Sequence, residues 1–367
     1  MLPRGVTRII TEKCMENSDS QLFKYLIAGP CSAETEEQVY ETARQLHAVS
    51  AQLPYPVSFF RAGVWKPRSS SSDFCGAGKK ALPWLQRVSR DFGFSICVEV
   101  GKPQHVVACL LHGIKCFWIG ARTAVNPFAV QEIADAVQDA DCTVLVKNPA
   151  IPDLRLWLGD VERFEKVGVK QVFAVHRGFA EQHENVLRNA PLWEIPIAFK
   201  VNRPDIPLLC DPSHIAGNRQ YIKQIAQIAI DYGCNGLMLE THCNPECALS
   251  DAQQQLTIAG LTETLQSLIY KVSSNNPDDF LRQQRTLIHH IDTQISQLLA
   301  KRITTVEEIA RIKRDHNIPL VQPGQWNSVV KNYEQYALPD DEYLEFLHHL
   351  LDELHQFSLK RQRRIQQ

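Results

Sequence analysis

Arg61, Arg122, Lys147 and Arg177 are spread over more than a hundred residues, yet each falls at the close of a short apolar run. Lys66 and Arg68, in Lys66-Pro67-Arg68-Ser69-Ser70, add two more cations and neighbouring hydroxyls. Guanidinium forks and ammonium groups gathered in one place bind carboxylates and phosphates. The chemistry expected is therefore that of anionic substrates, with room for two. A second set, Cys31, His214, Glu240 and Asp251, offers one thiol, one imidazole and two carboxylates. Such a donor set suits Mn, Fe, Co or Zn better than an all-oxygen magnesium cage.

What must position these residues is a repeating strand-and-helix chain. The apolar runs are Tyr25 to Ala28, Val57 to Phe60, Phe94 to Val98, Cys116 to Ile119, Thr143 to Val146, Gln171 to Val175, Pro207 to Cys210 and Gly236 to Leu239. They close respectively on Gly29-Pro30-Cys31, Arg61, Glu99, Gly120-Ala121-Arg122, Lys147, His176-Arg177, Asp211-Pro212-Ser213-His214 and Glu240. Helix-forming stretches lie between most of them, among them Glu36 to Ser50, Lys79 to Asp91, Pro127 to Asp139, Asp160 to Val167 and Gln220 to Tyr232. This alternation implies a parallel sheet. A closed (β/α)₈ barrel is the economical solution, with an open doubly wound sheet as the alternative. Barrel sites assemble where strands end, so all eight endings would face one mouth.

The pattern changes at Ser273 to Asp279, a linker of turn formers and acidic residues. Beyond it, Phe280 to about Asp315 carries Leu281, Leu287, Ile288, Ile291, Ile295 and further apolar residues at helical spacing. A second helix is expected over Trp326 to Tyr336 and a third from Asp340 towards Gln362. The expected domains are a barrel over 1–272, a linker over 273–279 and a small all-α domain over 280–367. Three helices make a thin core, so pairing with a second copy follows.

Composition narrows the function class. Among 367 residues, 39 Lys and Arg stand against 41 Asp and Glu, a formal charge of −2. No global field draws such a chain to nucleic acid or to a membrane surface. Neither a spanning apolar run nor an N-terminal hydrophobic signal region is present. Eleven cysteines, odd in number and mostly inside apolar runs, fit a reducing cytoplasm. Cys243 and Cys247 lie near His242 and raise the question of a second metal.

Ala28-Gly-Pro-Cys-Ser-Ala-Glu34, Arg61 through Lys66-Pro-Arg-Ser-Ser70, Ile119-Gly-Ala-Arg122, His176-Arg-Gly178, Asp211-Pro-Ser-His214 and Leu239-Glu240 together resemble 3-deoxy-D-arabino-heptulosonate 7-phosphate (DAHP) synthase of the short form. The resemblance runs over about Lys24 to Thr264. It implies condensation of phosphoenolpyruvate with erythrose 4-phosphate. Arg61, Lys66, Arg122, Lys147 and Arg177 would then hold phosphoenolpyruvate, with Glu99 and Ala121 in the same site and Arg68 and Ser69 on the aldose phosphate. Cys31, His214, Glu240 and Asp251 would hold the metal, Mn²⁺ first, with Fe²⁺, Co²⁺ or Zn²⁺ as alternatives. Lys66 is the implied proton donor. The sister 3-deoxy-D-manno-octulosonate 8-phosphate synthases carry Lys-Ala-Asn-Arg-Ser where this chain has Lys66-Pro67-Arg68-Ser69, and their activity is the alternative.

The segment from about Asp278 resembles an all-helical chorismate mutase, which converts chorismate to prephenate in a helix-swapped homodimer. Arg285, Arg302 and Lys313 match its first-helix cations, and Ser358 and Gln362 its last-helix polar pair. At 100° per residue, Arg302 and Lys313 share a face to within about 20°, whereas Arg285 is turned about 100° away. A partner copy would resolve that geometry. Gln322, Gln325 and Trp326 depart from the family pattern and are expected to weaken the mutase. Two accounts follow: a bifunctional enzyme with feedback by prephenate or chorismate, or a synthase whose helical domain only binds, dimerises and regulates.

Overall fold

Alternation within the apolar runs decides the architecture. The computed structural model describes residues 22–67, 74–180, 186–271, 279–337 and 340–366, apart from the side chains of 279–283, Pro323 and Gln325. Eight strands are formed: β1 (Tyr25–Gly29), β2 (Val57–Ala62), β3 (Ile96–Val100), β4 (Cys116–Ile119), β5 (Thr143–Lys147), β6 (Gln171–His176), β7 (Leu208–Cys210) and β8 (Gly236–Glu240). They close into a barrel in chain order. Closure runs through the parallel pair β1 and β8, from Tyr25 opposite Gly236 to Gly29 opposite Glu240. The open sheet is thereby excluded.

Successive residues of a strand point to opposite faces. Ile27, Trp118, Leu145, Phe173, Leu209 and Met238 fill the barrel interior, while Ala28, Phe60, Val98, Ile119, Val146 and Leu239 pack outward under the helices. Each Val, Leu, Ile, Phe or Met among them, taken fully from water, contributes about 1.5–3 kcal/mol. The same alternation then carries charge inward two residues further on. Phe59 is followed by Arg61, Cys97 by Glu99, Leu145 by Lys147, Val175 by Arg177, Leu209 by Asp211 and Met238 by Glu240.

The helices around the barrel are α1 (Glu36–Ala48), α2 (Leu82–Phe92), α3 (Pro103–Leu111), α4 (Pro127–Ala136), α5 (Leu154–Lys166), α6 (Glu194–Asn202), α7 (Pro212–Ala216), α8 (Arg219–Asp231) and α9 (Ile258–Gln266). Several elements differ from the sequence reading at their ends. Helix α5 begins at Leu154 rather than Asp160, because the Asp153 side chain caps it by accepting from the Leu156 N–H at 3.0 Å. Strand β3 begins two residues later than Phe94 and runs on to Val100, so Glu99 lies within the strand.

The chain divides into two compact units, Met1–Ser274 and Asn275–Gln367. The linker expected over 273–279 falls outside the described residues up to 278. The second unit consists of α10 (Asp279–Asp315), α11 (Pro323–Glu334) and α12 (Asp341–Gln366). Val306, Ala310, Leu347 and Leu351 form its buried centre. Towards the start of α10, Leu287, Ile288, Ile291 and Ile295 are 45–58% exposed. Among the described residues no helix is long and apolar enough to cross a membrane.

Candidate active site

At the C-terminal mouth of the barrel, a cavity of about 210 Å³ is lined by Arg61, Lys66, Arg122, Lys147, Arg177 and Arg188, together with Glu99, Ala121, His214 and Asp251. Trp118 forms its floor. The Arg61 guanidinium lies 5.0 Å and the Lys147 ammonium 5.8 Å from the centre of the indole ring. A Cβ at Gly120 would displace the Glu99 carboxylate from its place at this wall.

Buried cations need partners, and Asp211 supplies one. Its Oδ2 accepts from Lys147 Nζ at 2.6 Å and lies 2.8 Å from His214 Nδ1, while Arg61 Nη1 is 3.8 Å away. Burial alone would raise the Asp211 carboxyl, but His214, Lys147 and Arg61 hold it well below its ordinary value. Arg61 Nη2 donates to Glu240 Oε1 at 2.8 Å. Its Nε and Nη1 are buried with no hydrogen-bond partner among the described atoms, which leaves donors for an acceptor to meet. Burial, with Arg188 and Arg122 adding to it against the pull of Asp211, brings Arg177 down to about 10.

Beside the cations stands the metal-capable group. The ligand atoms of Cys31, Glu240 and Asp251 all lie within 4.8 Å of one another. Cys31 Sγ donates to Asp251 Oδ2 at 3.1 Å, and Lys66 Nζ donates to Cys31 Sγ at 3.2 Å. His214 borders the group, its Nε2 3.7 Å from Glu240 Oε1. Burial lowers the His214 pKa, which favours the neutral, ligating imidazole. Burial, reinforced by Glu240, pushes the Cys31 thiol up to about 12. One sulfur, two carboxylates and an adjacent neutral imidazole fit a divalent transition metal.

Arg68 and Ser69 lie outside the described residues. No second metal group forms around His242, Cys243 and Cys247 among the described residues: His242 Nδ1 accepts from the Asn244 N–H at 2.9 Å, and the exposed Cys247 accepts from Asn244 Nδ2 at 3.1 Å. Of the adjacent His176 and Arg177, only Arg177 lines the cavity. His176 faces the helices against Phe179 and Trp193.

Others were not singled out from the sequence. Arg188 Nη1 donates to Asp251 Oδ1 at 3.0 Å and to Gln254 Oε1 at 2.7 Å, and Asn189 joins Arg177 to the His214 backbone. Gln254 also donates to Glu240 Oε2 at 2.7 Å, and Gln255 accepts from the Cys31 N–H at 2.9 Å.

Residues 9–275 match the DAHP synthetase I family. The chain belongs to that family. Members are generally metal-dependent, in keeping with the Cys31, Glu240 and Asp251 group. Residues 284–363 match chorismate mutase type II. The barrel is thus a DAHP synthase domain and the helical unit a chorismate mutase domain, and both enzyme activities reside in one chain.

Among relatives, the chain is 29% identical over 243 residues to a phospho-2-dehydro-3-deoxyheptonate aldolase of Thermotoga maritima, covering 66% of this chain and 68% of the relative. It is 25% identical over 264 residues to a 2-dehydro-3-deoxyphosphooctonate aldolase of Legionella pneumophila, covering 68% and 91%. The crystal structure of the Thermotoga maritima DAHP synthase superposes with a TM-score of 0.58 at 28% identity, over 66% of this chain and 68% of that one. A truncated form of the Thermotoga maritima synthase gives 0.55 at 26%, over 66% and 84%.

Within the mutase unit, Arg302 Nη1 donates to Ser358 Oγ at 2.7 Å, joining α10 to α12. Lys313 Nζ donates to the Leu320 carbonyl at 2.7 Å. Gln362 is buried, and its Oε1 has no hydrogen-bond partner among the described atoms. Arg285 is exposed. Of the departures from the family pattern, Trp326 stacks on His355 with ring centres 4.0 Å apart, and Gln322 precedes α11 without a side-chain cap.

Proposed function

We propose that residues 1–272 condense phosphoenolpyruvate, erythrose 4-phosphate and water to DAHP and phosphate in a metal-dependent reaction. Residues 280–367, joined through 273–279, rearrange chorismate to prephenate. The observation that carries the synthase reading is the adjacency of the cation-lined cavity to the Cys31, Glu240 and Asp251 group. Such a pairing suits an anionic enol phosphate next to an aldehyde.

Arg61, Lys66, Arg122, Lys147 and Arg177 would grip the carboxylate and phosphate of phosphoenolpyruvate, with Glu99 and Ala121 around it. Arg68 and Ser69 would receive the aldose phosphate. Held this way, the enol carbon meets the aldehyde carbon without the entropy loss of a free encounter. The new carbon–carbon bond leaves an alkoxide that must take a proton. Burial works against a charged Lys66, but Cys31 and Glu99 hold its pKa above the ordinary value, so Lys66 arrives protonated and able to donate. Water then adds at the carbon bearing the phosphate, and the cations stabilise charge at its substituents. A divalent ion, Mn²⁺ first with Fe²⁺, Co²⁺ or Zn²⁺ as alternatives, held by Cys31, His214, Glu240 and Asp251, would supply Lewis-acid polarisation of the aldehyde oxygen.

For the rearrangement, Arg285 and Arg302 would take the carboxylates, while Lys313 and Gln362 face the ether oxygen, with Ser358 holding Arg302. The exposed apolar start of α10 is the surface through which two copies would pair, bringing Arg285 of one to the site of the other. Trp326 and the glutamines at 322 and 325 would lower mutase turnover. Prephenate or chorismate bound at Arg302 and Lys313 would inhibit the barrel, provided it favours one arrangement of the chain. Unchanged inhibition in an Arg302→Ala, Lys313→Ala variant removes that idea. The metal role is tested by chelation: activity lost in chelator and restored by Mn²⁺ supports it, and full activity in excess chelator refutes it.

A further inference from the structure

Residues 188–190 form a short strap outside any strand or helix. Ala190 exchanges backbone hydrogen bonds with Phe179 at 2.8 and 3.0 Å, the Asn189 N–H donates to the Ile215 carbonyl at 3.2 Å, and the Arg188 N–H donates to the Ala216 carbonyl at 3.3 Å. The strap is thus fixed to the loop after β6 and to α7 by its backbone. Its side chains reach into the site.

Asn189 is 7% exposed and uses both ends of its amide there. Oδ1 accepts from Arg177 Nη1 at 2.7 Å, and Nδ2 donates to the His214 carbonyl at 2.6 Å. Close approach of this amide is built in: Gly178 has φ +78°, and a Cβ on it would lie 2.8 Å from the Asn189 Cβ. A carboxamide holds its donor and acceptor at a fixed separation. The amide thus links the Arg177 guanidinium directly to the backbone that carries His214. Occupying one Arg177 nitrogen here leaves the rest of the fork for an anion.

We propose that Asn189 is a positioning residue coupling the phosphate-gripping guanidinium of Arg177 to the metal-side residue His214, so that filling either site prepares the other. The inference rests on the assignment of Arg177 to phosphoenolpyruvate and of His214 to the metal. Coupling of this kind is reciprocal, and its usual size is about 5- to 150-fold in affinity.

The test is Mn²⁺ binding to the full chain, followed by electron paramagnetic resonance of the free ion, with and without phosphoenolpyruvate. In the wild type, phosphoenolpyruvate should tighten Mn²⁺ binding by about fivefold or more. In Asn189→Ala the tightening should fall to near unity, with each ligand alone still bound. Asn189→Asp keeps an acceptor for Arg177 but sets an oxygen against the His214 carbonyl, so it should retain phosphoenolpyruvate binding and lose the coupling. It also decides the matter should the alanine variant fail to fold. Wild-type coupling that persists in both variants, or two ligands that bind the wild type independently, overturns this inference alone. Absence of Mn²⁺ or phosphoenolpyruvate binding in the wild type overturns the functional assignment and this inference with it.

Discussion

The Lys66 ammonium stands 3.2 Å from the Cys31 thiol, which is itself 3.1 Å from an Asp251 carboxylate oxygen. A candidate proton donor thus touches a candidate metal donor, and the two roles can be separated. Loading with Co²⁺ should produce a thiolate-to-metal charge-transfer absorption that Cys31→Ser abolishes. Lys66→Met should keep the band yet lower DAHP formation by about 10²- to 10⁴-fold, the usual scale for loss of a general acid. Turnover within a few-fold of wild type in Lys66→Met would exclude it as the donor.

Lys147 and Asp211 form a buried pair at 2.6 Å, with side chains 5% and 0% exposed. Removing Lys147 takes one cation from Asp211 and leaves His214 and Arg61 beside it. Lys147→Met should therefore be destabilising in urea unfolding, by less than the about 3–5 kcal/mol of a buried charge left wholly unpaired. Adding Asp211→Asn should bring back part of that loss. Strictly additive effects in the double variant would show that the pair is not coupled.

Asp160 on α5 is fully buried, and neither carboxylate oxygen has a hydrogen-bond partner among the described atoms. Burial, against the pull of Arg163, pushes its pKa up to about 7. Between the ordinary carboxyl value of about 4 and that raised value, the folded state keeps a proton that the unfolded chain has released. Its penalty therefore grows as pH rises and is complete above pH 7. Asp160→Asn should stabilise the barrel by about 2–4 kcal/mol at pH 8 and by almost nothing near pH 4. Equal effects at both values in urea titrations would contradict the burial argument.

In the helical unit, Ile291→Asp with Ile295→Asp places charge on the exposed apolar side of α10. Light scattering should show a dimer for the wild type and single chains for this variant, with loss of chorismate turnover. Arg302→Ala should lower that turnover by about 10²- to 10³-fold, as expected for loss of a preorganised donor. An intact dimer in the first variant would remove the proposed interface.

Much of this was legible because a strand has period two. Once Leu145 is assigned to the interior, Lys147 must follow it to the same face, and the same holds for Met238 and Glu240. That rule also separates Arg177 from His176, which adjacency in sequence alone does not. The start of α5 was missed by six residues, although Asp153 is a capping residue ahead of an apolar run and Asp160 lies inside the helix. Arg188 and Asn189 were not legible. They sit in an aperiodic strap whose place is set by backbone bonds to Phe179, Ile215 and Ala216, and nothing local announces those partners.

The most direct measurement is loss of phosphoenolpyruvate absorbance by the full chain, with erythrose 4-phosphate and then with arabinose 5-phosphate, in wild type and Cys31→Ala. Rapid loss with erythrose 4-phosphate alone, lost in the variant, is the expected result. Preference for arabinose 5-phosphate, or a Cys31→Ala enzyme as fast as the wild type, would contradict the account.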